Sequence, residues 1–257
     1  MKNLKLITVM IMVVMCFAFI STSFALPYND RPATTSPGDL DALQQVFIDI
    51  GSSIDVSTDQ ESVAIFNPMS GGISTSYTIS LTTGINEGFG IYKYGEKGTK
   101  AEIFEYGYEY KPGDSIGITF GDDGNGNIDV TISDSHMNEF RTTYDFGIDF
   151  GFYINSEAGV FYSEDELNSS GNTQALIYEG NGDTINIGSS VLNGNDSNHY
   201  YVCFEGSSNP GNVQAAFTDT VVQIESIMPY APVPEPASCL LLGLGLLGLV
   251  GAVKKRT

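Results

Sequence analysis

Apolar and polar residues alternate with a period of two through much of the middle of the chain. Ile116, Ile118 and Phe120 interleave with Ser115, Gly117 and Thr119, and Ile128, Val130 and Ile132 interleave with Asp129, Thr131 and Ser133. A strand sends successive side chains to opposite faces, so this alternation predicts strands with one buried face. The longest such face is Phe146, Ile148, Phe150, Phe152 and Ile154, with Gly147, Asp149, Gly151 and Tyr153 opposite. Further runs predict strands over residues 46–50, 62–66, 77–82, 89–94, 102–110, 174–178, 200–204 and 220–227. Turns rich in Gly, Asn, Asp and Ser separate them, with neither a sustained helical period nor a fixed-length repeat. The pattern predicts an all-β fold, an antiparallel, jelly-roll-like β-sandwich. A short helix is expected to start at Ser163, where Glu166 stands at capping-box spacing.

The two ends break the pattern. Lys2 and Lys5 precede an apolar stretch over residues 6–20, and Ser23, Phe24 and Ala25 follow. Small residues at that spacing predict a signal peptide, residues 1–25, removed after Ala25 by signal peptidase. Residues 26–42, with Pro27, Pro32 and Pro37, read as a linker into an ectodomain over residues 43–229. A proline-rich stem, residues 230–238, comes next. Residues 237–253 hold 17 positions without a charge. That is near the minimum for a helix rising ~1.5 Å per residue through a ~30 Å hydrocarbon core. A transmembrane helix is expected over residues 239–253. Lys254, Lys255 and Arg256, in the tail of residues 254–257, would keep that end cytoplasmic and the ectodomain outside.

Pro234 and Pro236 hold the chain extended and present Glu235 to solvent just before the apolar run. The order Pro-Glu-Pro, apolar span, basic cluster resembles the PEP-CTERM sorting signal of bacteria that secrete exopolysaccharide. The resemblance implies that an exosortase-like enzyme recognises Pro234, Glu235 and Pro236 and cuts near them. It further implies a membrane-held intermediate during sorting, then a place at the cell surface or in the extracellular matrix beside polysaccharide.

Charge narrows the partners. Residues 26–238 carry six Lys and Arg against all 31 Asp and Glu of the chain, a formal charge of −25. So acidic a surface repels nucleic acid. The carboxylates are interspersed with Phe, Tyr, Ile and Val rather than gathered in blocks, which fits a folded acidic surface. Cys203 is the one cysteine between the two apolar ends, so no disulfide forms within the ectodomain.

Candidate chemistry is sparse. Asp123, Asn125, Asn127 and Asp129 present oxygens at every second position of a Gly-rich loop, a spacing that suits Ca²⁺. The same residues also make an ordinary hairpin turn, and Ile128 stands where a helix-flanked calcium loop has glycine. Tyr106, Tyr108 and Tyr110 follow Phe104 at alternate positions, an arrangement that serves either for stacking on sugar rings or for core packing. Glu164, Asp165 and Glu166 read as a solvated turn. His136 and His199 lie near no nucleophile motif, and no dinucleotide fingerprint is present.

Phe89-Gly90-Ile91-Tyr92, Glu102-Ile103-Phe104, Phe150-Gly151-Phe152-Tyr153, Phe204-Glu205 and the run from Phe217 to Glu225 resemble the successive signatures of a β-domain of unknown function in bacterial surface proteins. The resemblance implies an acidic corner at Glu205 and Asp219, with Ala216 where that family has a further Asp. Taken together, these readings favour a non-enzymatic structural or adhesive matrix protein with calcium as an optional stabiliser. A carbohydrate-binding module ranks second and a secreted hydrolase last.

Overall fold

The computed structural model describes residues 40–61, 63–69, 73–80, 87–195, 198–207 and 216–230. Among the described residues, the helix α1 (Asp41–Ile50) precedes the strands β1 (Ile65–Pro68), β2 (Ile73–Ser80), β3 (Gly88–Lys93), β4 (Glu96–Phe104) and β5 (Ser115–Asp122). The chain continues through β6 (Ile128–Asp134), β7 (Glu139–Thr143), β8 (Phe150–Ser156), β9 (Gly159–Tyr162) and β10 (Ala175–Glu179). It then forms β11 (Asp183–Ile187), β12 (Ser190–Asn195), β13 (His199–Phe204), β14 (Thr220–Glu225) and β15 (Ile227–Pro229).

The strands form two antiparallel sheets and a small hairpin. One sheet runs β15-β1-β8-β3-β4, with β9 also on β8, and the other runs β10-β13-β14-β2-β5-β6-β7; β11 and β12 pair with each other. Alternate residues of both sheets meet in one core. Phe66, Phe89 and Phe152 come from the first, and Ile118, Val202 and Phe204 from the second, all 2 % exposed or less. Rings cross the gap at Phe66–Tyr200 (4.9 Å between centroids) and Phe120–Phe150 (5.3 Å). This is the expected sandwich, closed by aromatic edge and stacking contacts.

A third layer covers half of the second sheet. Tyr178, Tyr201, Cys203 and Val221 point away from the sandwich core and pack with Leu43, Phe47 and Ile50 of α1 and with Ile185 and Ile187 of β11. Strands β10, β13 and β14 are therefore buried on both faces and read as continuous apolar runs.

Several local expectations differ from the structure. Residues 46–50 are helical: Leu43, Phe47 and Ile50 make the buried stripe, and Gly51 at φ +85° ends the helix. The strand expected over residues 102–110 stops at Phe104, and Gly107 at φ +90° turns the chain. The long face starting at Phe146 becomes a strand only at Phe150, because Gly147 (φ +86°) breaks the alternation and leaves Ile148 half exposed. The run over residues 220–227 divides at Ser226 (φ +60°), so β14 joins the second sheet and β15 the first. No capping box forms at Ser163. Its hydroxyl donates to the Ala64 carbonyl (3.0 Å) and accepts from the Phe152 N–H (2.9 Å), while Asp165–Leu167 makes a single 3₁₀ turn.

Candidate functional site

Among the described residues, three acidic side chains gather at a corner where three chain segments meet. Glu205 follows β13, Asp219 precedes β14, and Glu87 precedes β3. The Asp219 carboxylate accepts from the Gly206 N–H (2.7 Å), Glu205 accepts from the Ala216 N–H (3.1 Å), and Glu87 accepts from the Thr220 hydroxyl (2.6 Å). Gly206 leaves room for the Glu87 carboxylate, which a Cβ at that position would displace. Ser156 closes the base by donating to the Gly206 carbonyl at 2.8 Å. Burial, then the charge of Asp219, push the Glu205 carboxyl above its ordinary range. Burial does the same to Glu87, with the hydroxyl of Thr220 working against it and the charges of Asp219 and Glu205 adding to the rise. Beside them, Gln174 is buried; its amide donates to the Ser207 carbonyl (3.3 Å), and its own oxygen has no hydrogen-bond partner.

Glu205 and Asp219 were singled out in the sequence, and the structure brings them together. Glu87 was not. Its only sequence signal is an acid immediately before a strand, which many surface positions share. The corner works as a hydrogen-bonded clasp: each carboxylate holds a donor from a neighbouring segment. Among the described residues, no group of three or more His, Cys, Asp or Glu side chains is arranged to hold a metal ion.

The Gly-rich loop is the β5–β6 hairpin. Asp123 accepts from the N–H groups of Asn125 (2.7 Å) and Asn127 (3.2 Å) and from both their side-chain amides (3.3 and 3.2 Å). These bonds hold its carboxyl below the usual carboxylate range, the Asn125 N–H foremost. Gly124 and Gly126 take the positive φ values the turn requires. Asp129 is occupied elsewhere, accepting from the Asp145 N–H at 2.9 Å. Asp123, Asn125 and Asn127 thus converge on one another and Asp129 does not join them.

The three tyrosines differ in burial, although the Tyr108 ring packs on that of Tyr110 (4.6 Å between centroids). Tyr110 is 4 % exposed and donates to Asp134 (2.7 Å), while Tyr106 and Tyr108 sit in the turn, 41 % and 37 % exposed. Glu164 accepts from the Tyr92 hydroxyl (2.5 Å) and Asp165 from Thr173 (2.9 Å), so the acidic triplet is divided among separate partners. His136 lies between Asp114 (3.1 Å) and Asp134 (3.5 Å), and His199 beside Glu225 (3.5 Å). Cys203 is fully enclosed, and burial raises its thiol pKa well above the ordinary value, which makes it inert.

The decisive motif lies in the tail. Residues 232–256 match the model of the PEP-CTERM protein-sorting motif. This chain carries a PEP-CTERM sorting signal. The matched residues include Pro234, Glu235 and Pro236 and the basic cluster Lys254, Lys255 and Arg256. A PEP-CTERM signal implies processing by an exosortase-type enzyme, export, and placement at the cell surface or outside it. The signal, the apolar span over residues 239–253 and the cleavage site at Ala25 lie outside the described residues. Among the described residues, no helix is long and apolar enough to cross a membrane. No curated protein and no solved structure matches the chain.

Proposed function

We propose that this PEP-CTERM protein is a non-enzymatic structural or adhesive component of the polysaccharide matrix around the cell. A signal peptide ending at Ala25 delivers it, and the apolar run over residues 239–253 holds it in the inner membrane as an intermediate. An exosortase-type enzyme then cuts near Pro234, Glu235 and Pro236. The observation that carries the reading is the sorting motif over residues 232–256. The acidic corner supports a structural role, because Glu87, Glu205 and Asp219 each hold a hydrogen-bond donor of the fold itself.

The test is Pro234→Ala with Glu235→Ala in the native host. A larger, unprocessed form is expected to accumulate in the membrane fraction, with loss of the shorter form outside. Unchanged size and location on an immunoblot would reject the reading.

A further inference from the structure

Large apolar side chains are exposed at scattered places on the described surface, and three of them gather where the tail leaves the sandwich. Tyr94 is 44 % exposed, Ile148 49 % and Met228 45 %. Ile227 faces the sandwich core, so Met228, opposite Asn67 in the β15–β1 ladder, lies with it on the outer face of the first sheet. The Asn67 side-chain amide donates to the Ile148 carbonyl (3.4 Å) and to the Asp149 carboxylate, and the Asp149 carbonyl accepts from the Tyr94 N–H (2.9 Å). The Tyr94 ring lies 5.7 Å from that of Tyr230, the last described residue. Tyr230 in turn donates its N–H to the Ile65 carbonyl at 2.8 Å. The result is an apolar patch around the exit point, rimmed by the carboxylates of Asp149 and Glu164.

The sorting motif fixes what comes close to this patch. Pro234 follows Tyr230 by four residues. Four residues in any conformation reach at most about 14 Å. A domain of ~190 residues has a radius of gyration of about 16 Å. An enzyme that closes on Pro234, Glu235 and Pro236 therefore meets the sandwich surface around Tyr230. The bilayer is under no such constraint, since the apolar run starts nine residues after Tyr230, a reach of up to about 32 Å. The charge of −25 on residues 26–238 also works against contact with anionic headgroups.

We propose, on the reading that cleavage falls near Pro234, that Tyr94, Ile148 and Met228 form a docking surface for the exosortase-type enzyme itself, engaged while the enzyme holds the Pro-Glu-Pro segment. The enzyme then grips its substrate at two points, the motif and the folded domain beside it. The matching face of the enzyme is apolar with a basic rim, complementary to Asp149 and Glu164. Because both points sit on one chain, the second contact acts at high effective concentration and needs little area of its own. It also favours a folded cargo over an unfolded one, since positions 94, 148 and 228 are far apart in the sequence and meet only in the fold.

The test is a pulse-chase measurement of cleavage of the full chain in the native host. The triple variant Tyr94→Ser, Ile148→Ser, Met228→Ser is expected to be cut about tenfold more slowly than wild type, the order of loss when an interface gives up an anchor. The pair Ile48→Ser, Val191→Ser, at exposed positions of α1 and β12, is expected to be cut at the wild-type rate. Both variants are expected to keep the wild-type circular dichroism spectrum as full chains in a non-ionic detergent. A photo-reactive residue in place of Met228 is expected to cross-link to the exosortase-type enzyme, identified by mass spectrometry. A triple variant cut at the wild-type rate, a control pair slowed as much as the triple, or cross-links to lipid or to a second copy alone would each overturn the proposal. Pro234→Ala with Glu235→Ala, run beside them, separates the two readings. Blocked processing there with a normally cut triple variant removes the docking surface alone, whereas normal processing there removes the cleavage reading and the docking surface with it.

Discussion

Glu205 shows how one buried carboxyl can set a pH response. In the unfolded chain a glutamate titrates near ~4.3. In the folded corner, burial and the Asp219 charge move Glu205 above that value. Because the folded pKa is the higher one, the stability this group contributes is full below the unfolded value and is lost as pH rises through the folded one. Glu87, Glu61, Glu102 and Glu164 are raised in the same sense, with burial as the first cause in each. The protein is therefore expected to melt higher near pH 5 than near pH 8. Glu205→Gln, which keeps the shape and removes the titration, is expected to narrow that difference in a melting series. An unchanged pH slope would place the response elsewhere. Asp219 and Glu205 were legible as a pair because Phe204-Glu205 and the run from Phe217 resemble known signatures. Glu87 was not, because the contact that recruits it, Thr220 Oγ1 to Glu87, joins positions 133 residues apart.

At the scale of elements, α1 is the instructive case. Val46, Ile48 and Ile50 satisfy a strand period, while Leu43, Val46, Phe47 and Ile50 satisfy a helical one, and a short window supports both. Packing decides between them. Phe47 is fully buried, its ring edge-on to Tyr178 (5.3 Å) and Tyr201 (5.1 Å), whereas Ile48 is 56 % exposed. A strand would have turned Ile48 inward with Val46 and Ile50. Phe47→Ala is expected to cost about 3–5 kcal/mol in denaturant unfolding. Ile48→Ser is expected to stay within about 0.5 kcal/mol of wild type. Equal costs at the two positions would contradict the helix. The central strands β5, β6, β13 and β14 were legible because each carries a buried face, or two, of Ile, Val, Phe and Tyr. Strands β7, β9, β11 and β12 were not, since their pattern is mixed and their pairing depends on neighbours distant from a local window.

For the whole molecule, the acidic balance matters more than any single loop. A net charge far from zero works against the compact state through self-repulsion. Salt is thus expected to raise the melting temperature. Asp123 already accepts four hydrogen bonds from its own turn, and Asp129 serves Asp145. Calcium and sodium matched for ionic strength are therefore expected to shift the melt alike. A calcium-specific rise that disappears in Asp123→Asn would instead assign the hairpin an ion. The sandwich class was legible from period-two patterning, and the sorting signal from three short features in a row. The third layer formed by α1 and the β11–β12 hairpin was not, because nothing local reveals which sheet face a short helix will cover.

The sheet change at Ser226 has a mechanical consequence. A chain pulled by its C-terminal end feels the load first at β15, which is held by three paired residues and by the Tyr230 N–H on the Ile65 carbonyl (2.8 Å). Because Ser226 breaks the backbone direction between β14 and β15, that short strand can peel from β1 while β14 stays fixed between β13 and β2. Under such a pull β15 would yield at the margin of the sandwich before tension reaches its centre.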